Sequence, residues 1–173
     1  MRLISRFFLL LILTSCGAVI NYDYESSTDF DSYKTYGYYD DMKTGLSELD
    51  TKRLIRAIDA KLQALGFQRV DVADFYIDIQ SQEIINRTNS NVGVGVGGTG
   101  GNVGGGVSVG IPLGGSQYTR EIVIEFVDDS KNGTFWQAIA ETSFNPNAKP
   151  EKREAQFMAL AEKILSKYPP QIK

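Results

Sequence analysis

The side chains able to do chemistry are few, and their types restrict which chemistry is open. The chain of 173 residues contains no histidine and a single cysteine, Cys16. Imidazole base catalysis and His-ligated metal are therefore excluded. One cysteine also rules out an intramolecular disulfide. A carboxylate pair or an unaided serine is what is left. Asp71, Asp74 and Asp78 form the densest acidic group, but strand alternation does not place all three together. Asp128 and Asp129 fall at a predicted turn, where aspartate commonly serves local hydrogen bonding. The spacing there lacks the pattern of an EF-hand Ca²⁺ loop. No catalytic residue, cofactor or metal is expected; a hydrolase using carboxylates stays as an alternative reading.

The cysteine itself sits in an informative context. Arg2 and Arg6 precede the apolar run Phe7 to Leu13. That run is far short of the roughly 20 residues a spanning helix needs, and suits the core of an export signal. It ends in Leu13-Thr14-Ser15-Cys16, which resembles the bacterial lipobox. The resemblance implies cleavage between Ser15 and Cys16, a diacylglyceryl group on the Cys16 sulfur, and an acyl chain such as palmitate on the new amine. Two or more chains anchor stably where one does not. Without Arg2 and Arg6 the chain carries 16 basic and 21 acidic side chains. Charge would not draw it to an anionic bilayer, so lipid must hold it. Gly17-Ala18-Val19 follows, with no Asp or Lys close behind; lipoprotein sorting rules then imply the outer membrane. No Lys/Arg cluster marks a nucleic-acid surface.

Twelve of the seventeen glycines lie between Asn91 and Gly115. Gly93-x-Gly95-x-x-Gly98 matches the dinucleotide fingerprint as text, but no helix can start at its last glycine. No Gly-Lys-Ser/Thr follows either, so a nucleotide is not expected. Two readings stay open: a disordered linker, or a hairpin. In the hairpin Val92 pairs with Ile111, Val94 with Val109 and Val96 with Val107, all in one register, with a loop from Gly97 to Gly106. These six residues would form a branched apolar face opposite a nearly bare glycine face, a candidate contact surface.

The remaining elements must carry these features. Ile20, Tyr22 and Tyr24 alternate with polar residues, predicting a strand about four residues after the anchor. The tether then spans roughly 15 Å. Residues 33–39 read as a second strand. Six of the nine tyrosines lie between Tyr22 and Tyr39; they could stack on sugar, sit at lipid headgroups, or simply pack. Ser47 to Asp50 resembles a capping box. Leu54, Ile55, Ile58, Leu62 and Leu65 then keep helical spacing over 48–65, and Gly66 stops the helix. A strand follows over 73–85. Beyond the glycines, "YTREIVIEFVD" and "TFWQAIAETSF" alternate on either side of a turn at Asn132-Gly133. A last helix opens at Pro150, carries Phe157, Leu160, Ala161, Ile164, Leu165 and Tyr168, and ends at Pro169-Pro170. The order predicts an α+β fold. A mostly antiparallel sheet of about five strands carries two helices on one face, plus the Gly-rich hairpin insert.

Together "VINYDY", "DFDSYKTYGYY", "KLQALGF", "VADFYIDIQ" and "IVIEFVDDSKNGTFWQAIAE" resemble the DUF4136 family of bacterial lipoproteins. The stretches Asp29 to Tyr36 and Asp128 to Trp136 are the most telling. The resemblance implies a signal peptide at 1–15, a tether at 16–18 and one domain over 19–170, with the insert at 91–115. It supplies no activity. The expectation is a non-catalytic binding or structural module of the cell envelope. Acylated Cys16 would hold it to membrane lipid, and its partner would be an envelope protein or polymer. Self-assembly or membrane perturbation by the Gly/Val hairpin is the alternative.

Overall fold

The computed structural model describes residues 18–86, 91–92, 111–112, 117–131 and 133–171. Its strands are β1 (Val19–Tyr24), β2 (Thr35–Tyr38), β3 (Gln68–Arg69), β4 (Phe75–Asn86), β5 (Asn91–Val92), β6 (Ile111–Pro112), β7 (Gln117–Asp128) and β8 (Gly133–Phe144). Helix α1 spans Glu48–Ala64 and α2 spans Pro150–Ile164. Six strands form one sheet in the order β1-β8-β7-β4-β2-β3; β5 and β6 pair separately.

Three twelve-residue strands make the centre of this sheet, because their side chains alternate between its two faces over most of their length. Ile77 and Ile79 of β4, Ile122, Ile124 and Phe126 of β7, and Trp136, Ala138 and Ala140 of β8 all point one way and are buried. The two helices cover that face. Ser47 caps α1 by accepting from the Asp50 N–H at 3.3 Å, and Leu54, Ile58 and Leu62 are fully buried along it. Phe157, Leu160, Ala161 and Ile164 form the buried stripe of α2, which opens on Pro150. Leu65 departs from the expected stripe: α1 ends at Ala64, helical phase is lost, and Leu65 turns outward at 40% exposure.

The sheet has one strand more than expected, and it is mixed. β2 runs parallel to β4 because α1 returns the chain between them; β3 pairs parallel to β2. At two residues, β3 is too short to show an alternation in sequence. Gly45, at φ +71°, lies where a Cβ would stand 2.2 Å from the Ser81 carbonyl oxygen, so only glycine fits. Between Phe126 and Val127 the β7/β8 ladder shifts register. Phe135 thereby joins Trp136 on the core side, where it stacks on Tyr33 at 4.4 Å between ring centroids.

Four of the tyrosines, Tyr33, Tyr36, Tyr38 and Tyr39, have their hydroxyls bound by carboxylates. Tyr33 donates to Asp128 (2.8 Å), Tyr36 and Tyr38 both donate to Asp59 (2.9 Å), and Tyr39 donates to Asp129 (2.7 Å). Burial, with the Asp128 hydrogen bond second, pushes the Tyr33 hydroxyl well above its ordinary pKa. It stays a donor across the physiological range.

Candidate functional site

Among the described residues β1 closes one side of the sheet and pairs only with β8. Glu25, just past β1, donates its backbone N–H to the Phe135 carbonyl at 3.0 Å. Antiparallel alternation then fixes the rest. Val19, Asn21 and Asp23 turn their main-chain groups to β8, whereas Ile20, Tyr22 and Tyr24 turn theirs to the outer edge. The Tyr24 N–H is taken by the Asp23 carboxylate at 2.9 Å. The edge is braced from behind: the Tyr22 hydroxyl donates to the Lys163 carbonyl at 2.8 Å, and Lys163 Nζ donates to the Ala18 carbonyl.

On the helix side, a cleft of about 340 Å³ opens against this edge. Tyr22, Tyr24, Trp136, Lys167, Pro169 and Pro170 line it. Lys167 Nζ lies 5.1 Å from the Tyr22 ring centroid, a cation–π contact. A volume in the range of small-ligand pockets, walled by aromatic rings and prolines, suits an apolar or aromatic group.

The opposite face of the sheet has a different character. Asp78, Glu125, Gln137 and Asp23 stand in one row across β4, β7, β8 and β1, and Glu121 directly opposes Glu141. Like charges in opposed positions are destabilising unless something compensates. Among the described residues no Lys or Arg occupies an outward position on these four strands. Gln82 and Gln137 donate to Glu121 (2.8 Å) and Glu125 (3.0 Å). A second concavity, about 420 Å³, sits at the β1 end of this face between Asp23, Glu25, Glu125 and Gln137. It shares Tyr24 and Trp136 with the aromatic cleft.

The remaining acidic candidates have structural employment. Asp74 accepts from the backbone N–H groups of Lys34 and Thr35 at 2.8 Å each, which hold its carboxyl below the ordinary value. Asp128 accepts from the Ser130 N–H (2.9 Å) and hydroxyl (2.7 Å) within its own turn. Asp78 points to the open face, away from Asp74. Among the described residues, no three potential ligands gather closely enough for a metal ion.

Ser15, Cys16, Val94, Val96, Val107 and Val109 lie outside the described residues. Val92 pairs with Ile111, and Asn91 with Pro112, in the outermost positions of the register expected for the hairpin. The cleft beside the β1 edge has no counterpart among the sites expected from sequence. The sequence signal for it was the cluster of tyrosines in and after β1.

The geometry defines an α+β domain with both helices on one face, an open carboxylate-bearing face and an exposed edge beside an aromatic cleft. A family model described as a domain of unknown function, DUF4136, matches residues 20–170, and the chain belongs to that family. Among solved structures it is similar to a PDZ domain protein from Parabacteroides distasonis, at 13% identity and a TM-score of 0.57. That match covers 98% of this chain and 40% of the other, so the chain spans less than half of that protein. It is also similar to the PelC dodecamer from Paraburkholderia phytofirmans, at 10% identity and a TM-score of 0.49, covering 87% and 96%. Such identities speak to the fold alone. No curated protein matches the chain.

Proposed function

We propose that the chain is a lipid-anchored, non-catalytic binding module of the bacterial cell envelope. Acylated Cys16 holds it at the outer membrane, and it presents the β1 edge, the aromatic cleft and the carboxylate face to a partner. The observation that carries this reading is the shortness of the tether. Gly17 alone separates the lipobox cysteine from Ala18, which is already buried and bound by Lys163. A domain that begins so close to its anchor is held against the bilayer, where steady contact is useful. Among the described residues no helix is long and apolar enough to cross a membrane. Intact-mass measurement of the protein from outer-membrane fractions tests the reading. The expected mass is that of the chain from Cys16 carrying three acyl chains, lost in Cys16→Ser. An unmodified sulfur with the leader retained would overturn it.

One observation favours a second role for the Gly/Val insert. Val19 stands level with Glu141, Glu121 and Gln82 across the sheet. The chain therefore leaves β4 for the insert, and re-enters at β7, at the same end of the sheet where residue 18 enters β1. A membrane-held Cys16 would put these strand ends, Asn86 and Gln117, on the bilayer side. Deleting residues 91–115 is expected to reduce vesicle binding or self-association while leaving the fold intact.

A further inference from the structure

Resting on the binding-module reading, we infer that the edge of β1 receives an extended peptide as an added strand. The peptide is a segment of a partner protein in which apolar or aromatic side chains alternate with Lys or Arg. Four features converge on this: the edge-facing main-chain groups, their bracing, the aromatic cleft and the row of carboxylates. The Ile20 and Tyr22 main-chain groups and the Tyr24 carbonyl face the edge, and strand addition satisfies such groups with main-chain hydrogen bonds from any sequence. The brace from Lys163 and Tyr22 keeps the edge ordered beforehand, which lowers the ordering penalty of association.

Side chains of an added strand continue the pleat of the sheet. Those level with Tyr22 and Tyr24 enter the cleft between these rings, Trp136 and Pro169. Lys167 at its rim disfavours a cation there. Those level with Asp23 emerge on the other face, at the end of the row Asp78, Glu125, Gln137 and Asp23. Among the described residues the four strands carry carboxylates on that face and no outward Lys or Arg, so Lys or Arg fits it. A second copy of this chain is the poorer occupant. Antiparallel self-pairing of β1 would set two such carboxylate faces side by side and oppose Asp23 to Asn21, with no new ion pair.

The test uses the full chain in detergent micelles and a blocked heptapeptide of alternating Lys and Phe. Amide exchange is followed by NMR, and Trp136, the one tryptophan, reports the cleft by fluorescence. Binding is expected to slow exchange at the Ile20 and Tyr22 N–H groups at least about tenfold at saturation. Glu125→Lys should weaken binding about tenfold and favour a Glu/Phe alternating peptide instead. A backbone N-methylated Lys/Phe peptide should fail to bind. Equal binding by the N-methylated peptide would overturn the proposal. So would a Trp136 response without protection at Ile20 and Tyr22. Protection in the peptide-free chain that grows with protein concentration would instead assign the edge to a second copy. The Cys16→Ser chain must bind the peptide equally, so failure here is distinguishable from failure of the anchoring reading.

Discussion

Asp50 offers the most demanding test of how the two helices are locked to the sheet. It lies in the first turn of α1 at 1% exposure. Arg53 of the same helix donates to it at 2.8 Å, Arg153 of α2 at 2.9 Å, and Arg120 of β7 stands 3.5 Å away. Asp50→Asn keeps the shape and the Ser47 cap, which uses the backbone N–H, but removes the charge. The three arginines differ in what they keep. Arg153 retains the Pro146 carbonyl at 2.6 Å, and Arg53 retains Glu154 at 3.6 Å. Arg120 is 4% exposed, has no hydrogen-bond partner at Nε, and keeps Glu83 at 2.6 Å and the face of the Phe144 ring at 3.5 Å.

Breaking a buried ion pair typically costs about 3–5 kcal/mol. A 30 Å³ space beside Arg120 has room for a water, and each arginine keeps one partner besides Asp50, so the low end, about 3 kcal/mol, is expected. For a domain of this size that lowers Tm by roughly 6–12 °C. Urea unfolding followed by Trp136 fluorescence and by circular dichroism measures it. Because the penalty is an uncompensated arginine, Asp50→Asn combined with Arg120→Met should be less destabilised than the two single changes added together. A single-variant loss below about 1 kcal/mol, or simple additivity in the pair, would refute the account of a buried charge network.

Gly45→Ala should cost at least about 2 kcal/mol in urea unfolding, since φ +71° and the Ser81 carbonyl both exclude a side chain. Asp74→Asn should flatten the acid limb of the stability curve. The folded carboxyl titrates below its ordinary value near 3.8, chiefly through the Lys34 and Thr35 N–H bonds. Its contribution is therefore complete above that value and is lost as pH falls through the folded one. Urea midpoints between about pH 5 and about pH 2 should fall more steeply in the native chain than in the variant. Lys163→Met removes the hold on Ala18, so amide exchange at Val19 and Asn21 should accelerate while global stability changes by less than about 1 kcal/mol.

Much of this architecture could be read from periodicity, and the reason is local. The spacing of Leu54, Ile58 and Leu62, the cap at Ser47, and the alternation through Ile122, Ile124 and Phe126 are properties of neighbouring residues, and the helices and long strands follow from them. The family was legible for the same reason, in contiguous stretches of chain. Tertiary structure alone decided what depends on distant residues meeting. β2 and β3 are parallel because of where α1 returns the chain, and β3 is too short to announce itself. Asp50, Arg120 and Arg153 are ordinary surface residue types until three elements close around them. Tyr22 lies more than a hundred residues of chain from both Trp136 and Pro169, and only the placement of β1 at the sheet edge makes them one cleft. Packing assembles such sites from sequence positions that share no local pattern, so their chemistry becomes visible only once the core has formed.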